Sequence, residues 1–162
     1  MSDNLADYLN DHLAGSEFAL GLLDLLREQN PGKPLAAFAL EMLTQIREDK
    51  TFLQGIIDRA GVAPSAIKQA ASWLGSKLSE LKFTPDAFGT FRALETLALG
   101  IDGKAILWQT LASLSTTDPR LTGLSLDNMV ARAKSQRQQI ETQRILMAQA
   151  AFSPLAAPVT PA

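Results

Sequence analysis

The amino-acid sequence predicts an all-α fold, in which four long helices form a bundle with an extra short helix in the connection between the second and third long helices. Apolar residues recur every three or four positions through four long segments, which is the spacing of one helix face. No segment shows sustained alternation of apolar and polar residues, the pattern of a half-buried strand. The chain of 162 residues, 46% of them apolar, is large enough for one domain with its own core.

The first two helices are predicted over residues 4–29 and 35–60. Between them, Pro and Gly at 30–34 mark a turn, and Pro34 suits the first turn of the second helix. Gly61 is a typical residue just beyond a helix C-terminus. Because the connection is short, these helices are expected to form an antiparallel hairpin.

The middle of the chain is expected to hold the short helix, over 66–82, and then a long helix over 85–114. Thr84 is placed at the N-cap of the long helix and Pro85 at its first helical position.

The last helix is predicted from Ser125, a good N-cap residue, to 152. Residues 1–152 then form a single helical-bundle domain. The tail at 153–162 carries three prolines and little charge, and is expected to be disordered or extended.

The long connection over 61–84 decides the expected topology. It is long enough to cross the bundle, which lets the helices at 35–60 and 85–114 run parallel. A four-helix bundle with one such crossover is ferritin-like. An up-and-down bundle with a docked fifth helix is the alternative.

Two stretches carry a family resemblance. The sequence Tyr8-Leu-Asn-Asp-His-Leu-Ala-Gly-Ser16, and the sequence Leu99-Gly-Ile-Asp-Gly-Lys104 followed by Trp108, resemble small bacterial ferritin-like proteins of unassigned function. The resemblance covers about residues 4–150. Neither stretch is a chemical motif, so the resemblance implies a fold rather than a reaction.

Metal-bearing ferritin-like bundles place single glutamates on two helices and Glu-x-x-His on the other two. The corresponding carboxylates here would be Glu17, Glu48, Glu95 and Glu141. The two histidine positions hold Thr51, a poor ligand, and Arg144, which cannot bind a metal. We therefore expect no metal and no cofactor, with these glutamates at the surface and Glu95 paired with Arg144 or Arg137.

His12 and Asp49 are a possible polar core pair. Both fall on the apolar stripes of their helices, at nearly one level of the hairpin. A hydrogen bond from Asp49 would orient the ring and raise the pKa of His12. Ser16 is the only nearby nucleophile, so hydrolase activity has weak support. Lys104 is expected to be a solvated lysine.

The function predicted from these observations is non-enzymatic: interaction or self-association, with a homodimer as the expected partner state and any other protein partner unknown. The net charge of −2 argues against nucleic acid and against a polybasic membrane binder. The cytoplasm is the expected compartment. The alternative is a di-metal carboxylate enzyme or storage protein binding iron or manganese, and a third possibility is a small-molecule binder using the bundle interior near Trp73 and Trp108.

Overall fold

The computed structural model describes residues 4–61 and 83–153 of the chain. In these two ranges it contains four long helices, a short 3-10 helix and no strand, so the predicted all-α class is confirmed. The helices are α1 (Asn4–Gln29), α2 (Pro34–Arg59), α3 (Ala87–Leu114) and α4 (Leu126–Phe152), with the 3-10 helix at Pro119–Leu121. The short helix predicted over 66–82 and the tail from residue 154 lie outside the described residues.

The turn and start signals act largely as predicted. Pro34 begins α2, and Gly32 and Gly61 adopt φ angles of 73° and 70°, which favour glycine. Ser125 occupies the N-cap of α4, although its side chain makes no capping hydrogen bond.

The predicted cap of α3 is wrong by two residues. The Asp86 carboxylate, and not the Thr84 hydroxyl, caps the helix by accepting a hydrogen bond of 2.7 Å from the Gly89 amide. The Thr84 hydroxyl instead donates to the Asp86 carboxylate, at 3.0 Å. An aspartate accepts more strongly than a hydroxyl because its oxygens are charged.

Each helix contacts two neighbours. The hairpins α1–α2 and α3–α4 are joined by contacts of α1 with α3 and of α2 with α4, while α1 and α4, like α2 and α3, are diagonal partners without backbone-level contact. The α1–α3 pair is antiparallel, because the Tyr8 hydroxyl lies 3.4 Å from the Thr110 hydroxyl and the Gln29 amide donates to the Phe83 carbonyl at 3.1 Å.

The diagonal helices α2 and α3 run in the same direction. Leu35 and Leu94, from their N-terminal halves, belong to one core cluster, and Ile57 and Leu111, from their C-terminal halves, belong to the other. The connection over 60–86 therefore joins opposite ends of the bundle, whereas an up-and-down bundle would make these two helices antiparallel.

None of the helices in the described ranges combines the length and the apolar character that crossing a bilayer requires.

Candidate functional site

Four polar side chains meet in the middle of the bundle, between α2, α3 and α4. We call Asp49, Lys104, Arg132 and Gln136 the central polar cluster. Asp49 is only 3% exposed and Gln136 is fully buried. The Lys104 side chain is 13% exposed. Groups this deep are stable only when they satisfy one another.

The Asp49 carboxylate is the hub of the cluster. The Lys104 ammonium donates to Asp49 Oδ2 and to the Gln136 side-chain oxygen. The Gln136 amide donates to the same Asp49 oxygen at 2.9 Å. On the other oxygen, Asp49 Oδ1 lies 2.8 Å from Arg132 Nε, an ion pair whose angle is not that of a hydrogen bond.

Arg132 connects the central polar cluster with residues at the protein surface. Its guanidinium also contacts the carboxylate of Glu48, which lies in solvent, and donates to the Gln45 carbonyl at 3.2 Å. One buried carboxylate thus faces two cations from two different helices.

Burial lowers the pKa of the Lys104 ammonium below its ordinary value of 10.5. The Asp49 carboxylate acts in the opposite direction, and the Arg132 charge adds to the lowering. Asp49 therefore offsets part of the cost of holding the ammonium in the protein interior.

The prediction that Lys104 is solvated is wrong. It lies three residues after Ile101 and four before Trp108, both of them buried. Its position on that inner stripe turns the side chain inward, where Asp49 accepts its charge. The same spacing is the signal that could have identified Lys104 from the sequence.

Beside the central polar cluster lies a cavity of about 80 Å³, enclosed by α1, α2 and α3. Most of its wall is apolar. The polar and small residues that line it are His12, Gly15, Ser16, Asp49, Lys50, Gly100, Lys104 and Trp108. Trp108 is 1% exposed, so its predicted core position is confirmed, and its Nε1 has no hydrogen-bond partner among the described residues.

The structure brings His12 and Asp49 to the same cavity but does not join them. The hydrogen bonds that Asp49 accepts come from Lys104 and Gln136, and no Asp49–His12 bond occurs among the described residues. Burial lowers the pKa of His12, with Asp11 acting weakly against it, which is the reverse of the rise expected from an Asp49 partner.

His12 and Ser16, the possible base and nucleophile, each have a different partner. The His12 ring packs edge-on against Tyr8, with 4.7 Å between the ring centroids. The Ser16 hydroxyl donates to the Leu13 carbonyl at 2.6 Å, inside its own helix. Ser16 is thus not activated by His12.

Each of the four glutamates of the alternative metal site lies beside a cation, and Glu95 and Glu141 share Arg144. Glu17 contacts Lys50, and Glu48 contacts Arg132. Glu95 lies 3.6 Å from Arg144, one of the two partners predicted for it.

Glu141 has two cationic partners. It lies 2.6 Å from Arg144 and 2.7 Å from Arg137. Hydrogen bonds from these two guanidinium groups lower the pKa of Glu141 to about 2, and the bond from Arg144 has the larger effect.

In the part of the chain that the structure describes, no three His, Cys, Asp or Glu side chains are grouped so that they could hold a metal ion.

The chain's similarity to known proteins was tested in three ways. Comparisons with models of protein families, with curated proteins and with solved structures found no match.

Proposed function

We propose that this protein is a cytoplasmic, non-enzymatic bundle of ferritin-like topology, which works by self-association as a homodimer and has no metal centre. Three features support the topology: the two antiparallel hairpins, the parallel diagonal pair α2 and α3, and the single connection that must cross the bundle between them. The resemblance of the stretches at 8–16 and 99–104 to small bacterial ferritin-like proteins supports the same assignment.

The proposal of self-association is supported by two exposed apolar residues on the outer face of α3. Leu99 is 68% exposed and Ile106 is 57% exposed. They are seven residues apart and therefore share one face, with Gly103 between them. The inner face of the same helix is also apolar, with Leu97, Ile101 and Trp108 in the core.

Leu99 and Ile106 form a short apolar stripe on an outer face that is otherwise polar, and exposed apolar surface rimmed by polar residues is typical of an interaction surface. Within one copy, the residues that the structure describes cover only the inner face of α3. A second copy presents the same stripe, so a two-fold axis would pair Leu99 and Ile106 with their counterparts and bury both.

The ion pairs of the glutamates support a role without a metal. Glu17, Glu48, Glu95 and Glu141 each lie within ion-pair distance of a lysine or arginine of the chain itself, with Arg144 shared by Glu95 and Glu141. A dinuclear centre would need these carboxylates to leave their cations and converge, and the cations would then be left without partners.

The test is the oligomeric state in solution by sedimentation velocity at micromolar concentration. Wild-type protein is expected to sediment as a dimer, and Ile106→Glu as a monomer, because the substitution replaces one of the two large apolar side chains of the stripe by a charge. Leu40→Glu, at a comparably exposed leucine on α2, is the matched control and should remain dimeric. A monomeric wild type, or a dimer that persists in Ile106→Glu, would overturn the proposal.

A further inference from the structure

We propose that the cavity beside the central polar cluster binds a small uncharged molecule with an apolar surface, of about three heavy atoms. The site lies on the inner side of α3, so it does not depend on the self-association proposed for the outer face. Four features of the cavity support this ligand: its apolar wall, the balance of charge around it, its volume and its entrance.

Apolar side chains from three helices form most of the cavity wall. Leu53, Ile101 and Leu107 belong to it, and all three are buried. Trp108 contributes its ring, because its Nε1 is buried and does not open into the cavity. Such a wall favours a molecule with an apolar surface, which loses contact with water when it binds.

The charged groups at the cavity are already balanced. Lys104 pairs with Asp49, and Lys50 pairs with Glu17. Arg132, the second cation on Asp49, has a further carboxylate at the surface. A charged ligand would therefore enter a partly buried site that offers it no free counter-charge, which is unfavourable.

The neutral polar groups of the lining add no charge either. The Ser16 hydroxyl donates to the Leu13 carbonyl of its own helix. Burial lowers the pKa of His12 below the ordinary 6.5, so its ring is uncharged at neutral pH. An uncharged ligand thus fits the whole lining.

The volume of the cavity limits the size of the ligand. A cavity of about 150 Å³ lined by apolar side chains binds benzene, which has six heavy atoms, and also xenon. The cavity here has about 80 Å³, roughly half of that volume. It therefore suits a molecule of about three heavy atoms, and xenon is a probe of the same apolar class.

Two glycines form the entrance to the cavity. Gly15 on α1 and Gly100 on α3 are the exposed members of the lining. A Cβ at either position would meet no atom within 4 Å, so close packing does not require glycine there. The missing side chains instead leave an opening between α1 and α3, through which a small molecule can enter.

The experiment is a xenon titration of the full chain, followed by the methyl signals in ¹H–¹³C NMR spectra. The signals of Leu53, Ile101 and Leu107 are expected to shift in a saturable way, because xenon contacts the wall that they form. Leu43, a buried residue of α2 outside the cavity lining, is the internal reference. No saturable shift, or an equal shift at Leu43, would overturn the proposal.

Three further probes test the size and the charge of the ligand. Propane, with three heavy atoms, should shift the same methyl signals. Benzene, which is too large, and acetate, which is charged, are each expected to bind at least about tenfold more weakly than propane. Binding of benzene as tight as that of propane would contradict the size limit, and equally tight binding of acetate would contradict the assignment of an uncharged ligand.

Two alanine positions test the location. Ala19 lines the cavity and is 9% exposed, whereas Ala39 is fully buried and lies outside the lining. Ala19→Leu adds three carbon atoms, as many as propane has, and should abolish the xenon shift without lowering the Tm. Ala39→Leu is the control for overpacking, and it should lower the Tm because it has no cavity to fill. A full xenon shift in Ala19→Leu, or a loss of Tm as large as that of Ala39→Leu, would contradict the location.

Discussion

Lys104 on α3 contacts Asp49 on α2 across the diagonal of the bundle. These two helices make no backbone-level contact with each other, so they meet only through side chains, which also include Phe52 and Trp108 with 5.7 Å between their ring centroids. Gln136 and Arg132 bring α4 to the same carboxylate. The cluster therefore ties three helices to one level, which is how a buried polar group can specify register even when its net stabilisation is small.

Removal of the Asp49 carboxylate is expected to destabilise the folded protein. In Asp49→Ala, the Lys104 ammonium loses its counter-charge in the bundle interior, and Arg132 keeps only Glu48 at the surface. We expect the free energy of unfolding to fall by about 3–5 kcal/mol, measured by urea denaturation.

Asp58→Ala is the control for that measurement. Asp58 is exposed on the same helix and accepts a hydrogen bond of 3.1 Å from Gln54. Its loss should change the free energy of unfolding by no more than about 0.5 kcal/mol. If Asp49→Ala behaved like Asp58→Ala, the central polar cluster would have no structural role.

His12, the only histidine of the chain, should make stability depend on pH just below neutrality. Burial lowers its pKa in the folded protein below the ordinary 6.5, so the unfolded chain binds the proton more readily. The free energy of unfolding should therefore decrease as the pH falls from 6.5 toward the folded pKa.

Thermal melts of wild type and His12→Gln between about pH 8 and pH 5 measure this contribution. The wild type should lose Tm over that range more steeply than the variant. Identical slopes, or a wild type that gains stability on acidification, would show that burial does not control this ring.

Glu141 should remain ionised well below the ordinary carboxyl pKa of 4.5, down to about pH 2. Its pKa of about 2 depends first on Arg144 and then on Arg137. Arg144→Gln should raise the pKa toward the ordinary 4.5, as followed by the carboxyl ¹³C shift in NMR.

Arg92→Gln, at an exposed arginine on α3 that packs over Phe88, should leave the Glu141 titration unchanged. Because the pKa is depressed in the folded state, the ion pair stabilises the fold above pH 4.5. That contribution is lost as the pH falls toward about 2. A Glu141 titration near 4.5 in the wild type would contradict this account.

Gly89 should not tolerate a side chain. A Cβ at this position would fall 2.1 Å from the Thr84 backbone oxygen. Gly89→Ala is therefore expected to reduce the free energy of unfolding by at least about 1–3 kcal/mol.

The matched control is Gly55→Ala, where a Cβ meets open space in the C-terminal part of α2. That substitution should instead increase stability by about 0.5–1 kcal/mol, because alanine favours the helix over glycine. Equal effects of the two variants would show that the approach of Thr84 to α3 does not constrain position 89.

The positions of the long helices can be predicted from the sequence, because apolar spacing and Pro/Gly turns are local signals. The sequence also predicts which residues of paired helices lie opposite each other along the bundle. A hairpin centred on the turn at 30–34 puts residue 17 opposite about 47, and Glu17 pairs with Lys50. A hairpin centred near Asp118 puts residue 95 opposite about 141, and Glu95 pairs with Arg144. Each is within one helical turn.

The sequence does not show which side chains meet at a given level, because that depends on the rotation of each helix. His12 and Asp49 reach one cavity, yet Asp49 bonds to Lys104 from the diagonal helix. A shared spacing was nevertheless present. Three polar residues each lie three positions after one buried apolar residue and four before another, in the series Ile46–Asp49–Leu53, Ile101–Lys104–Trp108 and Ala133–Gln136–Ile140. Three such interruptions on three helices are a signal of a buried polar cluster.

The metal content of untagged protein, expressed with added iron and manganese and measured by elemental mass spectrometry, tests the absence of a metal centre most directly. Because all four glutamates are paired with cations of the chain, we expect less than about a tenth of a metal ion per chain. About two metal ions per chain would contradict the account, since they would place Glu17, Glu48, Glu95 and Glu141 in a dinuclear site.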